Sequence, residues 1–407
     1  MGIDGLDAPL DMTGPIPVLF VHYGDEWFRG SEQLLLDLLT NLDPSRVQPF
    51  VWCNGAAMEN AARAAGIVTY RSSFEYYFDY DSPRFALARY RTFVRDGIAL
   101  VRRHGIRVLH ANSAAPSQWL VPVARATRRP LLAHLHIDYR RRGRFVCLLH
   151  QTTLIVGVSR QVTQDFRRDG LTADRIATIY NGIDFARLTR TDDTGLRQRL
   201  GIPAQAVTIA AAGSLIHRKG QDVLIRAFAA IRPGRDIHLV IAGEGPDRAA
   251  YESLTAELGV AASVHFIGHC TDMPAVYRAT DIVALASRAD AFGLVLAEAG
   301  YFAIPAVATT VGGIPEVVED GVTGLLVPPA DPIALADALV RLADDPQQRR
   351  AFGQAAKARA ERLFGVGQMV ANFQDTYERL ARLPPRALGW FGAGATIRPY
   401  LRAIAGR

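Results

Sequence analysis

Asp290 and Glu298 bracket a glycine in the segment Asp290-Ala-Phe-Gly-Leu-Val-Leu-Ala-Glu298, inside an otherwise apolar run. Carboxylates accept hydrogen bonds from vicinal hydroxyls, such as those of a sugar or a ribose. A carboxylate among apolar neighbours requires a partner, so Glu298 either meets a ligand or caps neighbouring backbone. Gly293 and Leu294 sit where a helix is expected to open, and free amides there suit a phosphate or a polar sugar edge. A second segment, Gly213-Ser214-Leu215-Ile216-His217-Arg218-Lys219-Gly220, falls between a predicted strand and a predicted helix. Only Lys219 and Lys357 among the 46 basic residues are lysine. Choosing lysine in a chain that otherwise uses arginine points to a compact ammonium charge. Such a group stabilises a departing diphosphate, as a metal does elsewhere; a plain surface turn is the alternative. Two glycine loops, Arg29-Gly30-Ser31-Glu32 and Val311-Gly312-Gly313-Ile314-Pro315-Glu316, would let backbone approach a ligand closely.

The elements that must hold these groups follow a β-then-α alternation, which predicts parallel sheets covered on both faces. Strands are expected at 16–22, 48–52, 108–110, 131–135 and 154–158, and then at 207–212, 237–242, 264–267, 282–285 and 306–308. Helical spacing recurs at 34–42, 83–104, 221–230, 247–258, 273–277 and 294–301. The prediction is two Rossmann-like halves, residues 1–188 and 189–382, with residues 383–407 packing back on the first. In such sheets ligands bind at loops on the carboxyl ends of strands, where both chemistry-bearing segments lie.

A chain of 407 residues exceeds what one core organises, and 49% hydrophobic with 21% charged residues is a globular composition. Cys53, Cys147 and Cys270 are widely spaced, which argues against a disulfide framework or zinc knuckle and fits a reducing cytosol. The first seventeen residues lack the charge and apolar core of a signal peptide. Met1-Gly2 is not followed by the Ser or Thr of a myristoylation motif, since position 6 is Leu. The stretch 291–311 carries Glu298 mid-span, so it is read as a buried helix and strand rather than a membrane span. Positive charge is lopsided: residues 83–150 hold fourteen of the 46 basic residues and two of the 40 acidic ones. That half could attract an anionic acceptor or lipid surface, or be a solvated face. No nucleic-acid reader module is recognised, and none is expected to bind.

Taken together, the residues from Ile179 to about Leu339 resemble the retaining glycosyltransferases of family 4, which have the GT-B fold. The resemblance runs through Tyr180-Asn181-Gly182-Ile183-Asp184, Lys219-Gly220, Ala242-Gly243-Glu244-Gly245-Pro246, Asp290 to Glu298, and Gly312 to Gly324. The N-terminal half matches more thinly, through Gly30-Ser31-Glu32, His136 and Val158-Ser159. The resemblance implies an α/β, GT-B architecture, two Rossmann-like parallel-sheet domains facing each other across an interdomain cleft. It implies a hexosyl transfer from a nucleotide-diphosphate sugar, with retention, to a glycan or lipid-linked acceptor, in glycan, polysaccharide or glycolipid synthesis. By the same resemblance Glu298 would bind donor ribose hydroxyls and Asp290 the donor sugar. Lys219 would hold the diphosphate with Gly30, Ser214, Arg218, Phe292, Gly293 and Leu294 around it. His136 would line the site near the reacting carbon, with His134, two positions earlier, as its rival. No metal or other cofactor is expected, and the protein would be cytoplasmic, peripheral at the inner face of a membrane.

Three departures stand out. The first acid, usually Glu, is Asp290. Ser214 replaces the usual Arg after the glycine of the lysine loop, with Arg218 nearby, and the N-terminal glycine pair is Gly30-Ser31. They keep open a non-catalytic nucleotide-sugar binder, and the same fold also admits a nucleotide-sugar epimerase or hydrolase. Asp79-Tyr80-Asp81 spells the D-x-D of a metal-dependent transferase fold but lacks its other pieces. No G-x-G-x-x-G follows the first strand, which sets a dinucleotide dehydrogenase aside.

Overall fold

A computed structural model describes residues 14–24, 30–74, 87–189 and 195–384. Asp79-Tyr80-Asp81, the neighbouring aromatics Tyr76, Tyr77 and Phe78, Arg29, Met1-Gly2 and residues 385–407 lie outside these described residues. The chain divides into two compact units. Residues 158–162 group with the second, and the chain from Val370 groups with the first.

The first unit carries seven strands: β1 (Ile16–His22), β2 (Val47–Cys53), β3 (Val68–Arg71), β4 (Val108–Asn112), β5 (Leu131–Leu135), β6 (Leu154–Gly157) and β7 (Ile176–Thr178). They form one parallel sheet in the order β3-β2-β1-β4-β5-β6-β7. The inner strands are buried along almost their whole length, which is why they read as unbroken apolar runs. Helix Val366–Ala381 sends Phe373 and Tyr377 into this unit's core, and the Tyr377 hydroxyl meets His110 Nδ1 at 2.7 Å. Arg46 pins the same helix from outside through Asp375 and Glu378.

The second unit carries β8 (Val207–Ala212), β9 (Ile237–Ala242), β10 (Val264–Gly268), β11 (Ile282–Leu285), β12 (Ala306–Thr309) and β13 (Gly324–Val327). These are parallel in the order β10-β9-β8-β11-β12-β13. Leu224, Phe228, Leu335 and Leu339 from two helices close over the strands to make its main core. Both units are therefore α/β with Rossmann-like parallel sheets. Stretch 291–311 becomes helix Leu294–Tyr301 followed by β12. Among the described residues no helix is long and apolar enough to cross a membrane.

Candidate donor site and histidine network

In each sheet the strand order reverses once, between β1 and β4 in the first unit and between β8 and β11 in the second. Loops leaving the carboxyl ends of the strands diverge at such a switch point, which opens a crevice for a ligand. In the second unit those loops are the two picked out by their chemistry. Lys219 Nζ donates to Asp290 Oδ2 at 2.6 Å, with side chains 18% and 12% exposed. Asp290 Oδ1 accepts from the amides of Phe292 at 3.2 Å and Gly293 at 3.0 Å. One carboxylate thus anchors the ammonium and caps the entry to helix Leu294–Tyr301.

Arginines clasp the same two loops. Arg218 donates to the Ala289 carbonyl, and Arg288 donates to that of His217 while forking onto Asp222 at 2.8 and 2.6 Å. Glycines make the close packing possible. A Cβ at Gly220 would lie 2.0 Å from the Ala286 carbonyl oxygen, and one at Gly312 would lie 1.7 Å from that of Asp290. Ser214 is exposed on the lysine loop beside Gly213, whose carbonyl sits against Gly243.

Glu298, on helix Leu294–Tyr301, accepts a hydrogen bond at 2.6 Å from the hydroxyl of Tyr277. Tyr277 is fully buried on helix Met273–Arg278, and burial together with the Glu298 charge pushes its phenol well above its usual range. The partner Glu298 needed is therefore a phenol. One expectation needs correction: the Gly293 amide is not free for a phosphate, because Asp290 already occupies it. The Phe292 ring is likewise buried, tilted against Tyr180 and edge-on to Phe364, so it supports the loop from beneath.

The first unit builds a second polar constellation at its own switch point. His22 ends β1, Asn112 ends β4, and the two are register neighbours. His22 Nε2 meets Glu32 Oε1 at 3.0 Å, His22 Nδ1 meets Asn112 Nδ2 at 3.0 Å, and Asn112 Oδ1 meets His136 Nε2 at 3.0 Å. Glu32 lies in helix Gly30–Thr40, with Gly30 exposed at its first position and the Ser31 hydroxyl on Glu32 Oε2 at 2.9 Å. Burial pushes the Glu32 carboxyl up, but the His22 and Ser31 hydrogen bonds outweigh it and hold it down at about 2.

His134 and His136 have different surroundings. His134 is buried against His110 and Phe373, and desolvation drives its pKa well below the usual value. His136 is half-buried just past the end of β5, and desolvation lowers its pKa to about 4. His22, Asn112 and Tyr277 escaped the motif reading. Their signal was a polar residue at the carboxyl end of an apolar strand for the first two; for Tyr277 nothing in the spacing marks it.

Among the described residues no group of three or more His, Cys, Asp or Glu side chains is placed to hold a metal ion.

A family model described as Glycosyltransferase Family 4 matches residues 28–187, and one described as Glycosyl transferases group 1 matches residues 192–359. Between them they span most of the chain. A D-inositol 3-phosphate glycosyltransferase of Saccharomonospora viridis is 37% identical over 222 residues, 51% of this chain and 51% of that protein. One from Corynebacterium efficiens is 40% identical over 195 residues, 45% of this chain and 46% of that protein. The matched region thus spans about half the length of these curated relatives. Among solved structures, Anabaena HepE in complex with UDP is similar with a TM-score of 0.77 at 24% identity, covering 89% of this chain and all of that one. A glycosyltransferase from Rickettsia africae gives a TM-score of 0.79 at 17% identity, over 91% of this chain and all of that one. At these identities the likeness concerns the fold.

Proposed function

Because this chain belongs to the glycosyltransferases of family 4, we propose that it moves a hexosyl group from a nucleotide-diphosphate sugar to an acceptor hydroxyl, with retention of anomeric configuration. The observation that carries this reading is the Lys219–Asp290 pair at the second unit's switch point, with Glu298 in the helix that follows the Asp290 loop. As the sugar–phosphate bond loosens, negative charge builds on the diphosphate. Lys219 leaves Asp290 to meet it, with Arg218 and the Leu294 amide nearby, and Asp290 turns to the sugar hydroxyls. Glu298 binds the ribose. The acceptor hydroxyl attacks on the face the diphosphate leaves; the resemblance to the family assigns His136 and Gly30 of the first unit to the same reaction. No metal takes part, so EDTA leaves the rate unchanged.

UDP is the nucleotide we favour, because HepE, a protein of like fold, was solved with UDP and with UDP-glucose. The acceptor is an anionic or lipid-linked hydroxyl compound. Relatives named as D-inositol 3-phosphate glycosyltransferases support an anionic one. Helix Leu87–Arg103 supports a lipid surface. It exposes Arg91, Arg95 and Arg102 around a groove of about 540 Å³ lined by Tyr90, Val94, Ile98 and Pro122. We place the protein in the cytoplasm, peripheral at the inner face of the membrane.

A thermal-shift panel of UDP, GDP and ADP sugars tests the donor, since native-state binding raises stability with affinity. The UDP sugars should shift Tm most. NMR of the product from an α-linked donor should show an α-linkage, and a β-linked product would overturn retention. Donor consumption without any acceptor at the transfer rate would favour a hydrolase instead. Wild-type protein should float with anionic vesicles at low salt, and Arg91→Glu with Arg95→Glu should abolish flotation. Equal flotation by that double variant would remove the membrane from this reading.

A further inference from the structure

The constellation around Glu32 links four side chains from four separate stretches of the chain, and its end anchors the direction of every hydrogen bond in it. An ionised carboxylate can only accept. The His22 Nε2–H must therefore donate to Glu32 Oε1, at 3.0 Å. In neutral His22 the other ring nitrogen, Nδ1, is then an acceptor, and it faces the amide nitrogen of Asn112 at 3.0 Å. That turns the Asn112 oxygen toward His136, whose Nε2 lies 3.0 Å away and must carry the proton. His136 Nδ1 is left as the ring's accepting atom, and it has no hydrogen-bond partner among the described residues.

We propose that Glu32, His22 and Asn112 are positioning residues that fix His136 in its Nε2–H tautomer, so that a lone pair on Nδ1 is what the ring offers to a substrate hydroxyl. The last clause rests on the transferase reading above; the tautomer does not. Neutral imidazole tautomers are set by the hydrogen bond at the other nitrogen, and the chain extends that control across three side chains. Its packing is tight. A Cβ on Gly24 would lie 2.5 Å from both Glu32 Oε1 and His22 Nε2, and Asn54 grips the Gly24 backbone on both sides, at 3.0 and 2.7 Å. Ser31, at the position where a second glycine is usual in the family, supplies the hydroxyl that occupies the remaining Glu32 oxygen at 2.9 Å. The groups facing His136 are the His134 ring, with centroids 4.2 Å apart, together with the His22 ring and the Glu32 carboxylate.

The test is long-range proton–nitrogen NMR of histidine-labelled, ligand-free protein near pH 8, with His136 assigned from a His136→Gln variant. Wild-type His136 should show the Nε2–H tautomer alone. In Glu32→Gln the amide can donate as well as accept, so the polarity of the chain is released and His136 should become a mixture. Its kcat should fall by about 10-fold or more, the scale seen when a residue that orients a functional histidine is lost, with the donor KM nearly unchanged. Ser31→Ala keeps the carboxylate and should keep the single tautomer. If Glu32→Gln does not fold, Gly24→Ala breaks the same pair from the other side. A mixed or Nδ1–H ring in the wild type overturns the proposal, and so does a single Nε2–H ring in Glu32→Gln. Failure of the transferase reading registers separately, as absent sugar transfer by wild-type protein whose tautomer is still locked.

Discussion

Lys219 reaches Asp290 because both leave the carboxyl ends of adjacent central strands, and Asp290 is short enough to turn back on its own loop. A glutamate there would extend the carboxylate by one methylene, away from the Phe292 and Gly293 amides. The shorter acid trades reach for a fixed helix entry. We expect Lys219→Ala to lower transfer by about 10² to 10³, the usual loss when one donor to a developing oxyanion is removed. The Tm should change little, since the ammonium is part-exposed. Wild-type rates in single-turnover assays of this variant would refute its role. Tyr277→Phe separates structure from binding in a different way. It removes a hydrogen bond to a carboxylate, about 1.5–3 kcal/mol, so Tm should fall and the KM for donor should rise while kcat stays close to wild type. The acids and the lysine could be singled out in the sequence because Lys219 and Asp290 sit in short loops and Glu298 follows Asp290 within the same nine-residue segment. Glu298's partner lies 21 residues away, and Asn112 lies 90 residues from His22. Such pairs exist only once strands are ordered in a sheet, and no spacing announces them.

At the scale of elements, backbone-to-backbone approach between loops is what the glycines permit. Gly312 has φ +54° and leaves no room for a Cβ beside the Asp290 carbonyl. Gly321 has φ +71° with open space around it. Their alanine variants therefore share the left-handed penalty of about 1–2 kcal/mol but differ in everything else. Gly321→Ala should lower Tm modestly and leave donor affinity alone. Gly312→Ala should lower Tm further and weaken donor binding in the same calorimetric experiment, because the Asp290 loop must move. Equal donor affinity for the two variants would disprove the coupling between these loops. The central strands were readable as apolar runs, but β3, β7 and β13 were not. Each is an edge strand of three or four residues. An edge strand pairs on one side only, so its sequence need not be apolar, and β3 alternates exposed Val68 with buried Thr69; β13, Gly-Leu-Leu-Val, is apolar but too short to show a period.

For the molecule as a whole, stability toward acid depends on neutral histidines, two buried and one half-buried, whose charged forms are desolvated. His110 is fully buried, and desolvation lowers its pKa to about 3; His134 and His136 are lowered by the same cause. Each takes up a proton far more readily when unfolded, near the ordinary value of 6.5. Below that pH the unfolded chain binds more protons than the native one, so stability falls as pH falls, by about 1.4 kcal/mol per pH unit for each such group. The loss begins near pH 6.5 and continues to the native values of about 4 for His136 and about 3 for His110. Glu32 adds a separate decline at lower pH, between its ordinary value of 4.5 and about 2, where its native charge is lost. Urea unfolding at a series of pH values should therefore show a fall starting well above the carboxylate range. His134→Phe removes one of the three without opening a cavity, since the site already meets the Phe373 ring edge-on. That variant should make the fall shallower from pH 6.5 downward, over the whole range in which native His134 stays neutral, while the Glu32 contribution is kept. A wild-type curve level down to pH 4.5 would show that these rings are charged, and solvated, in the native protein.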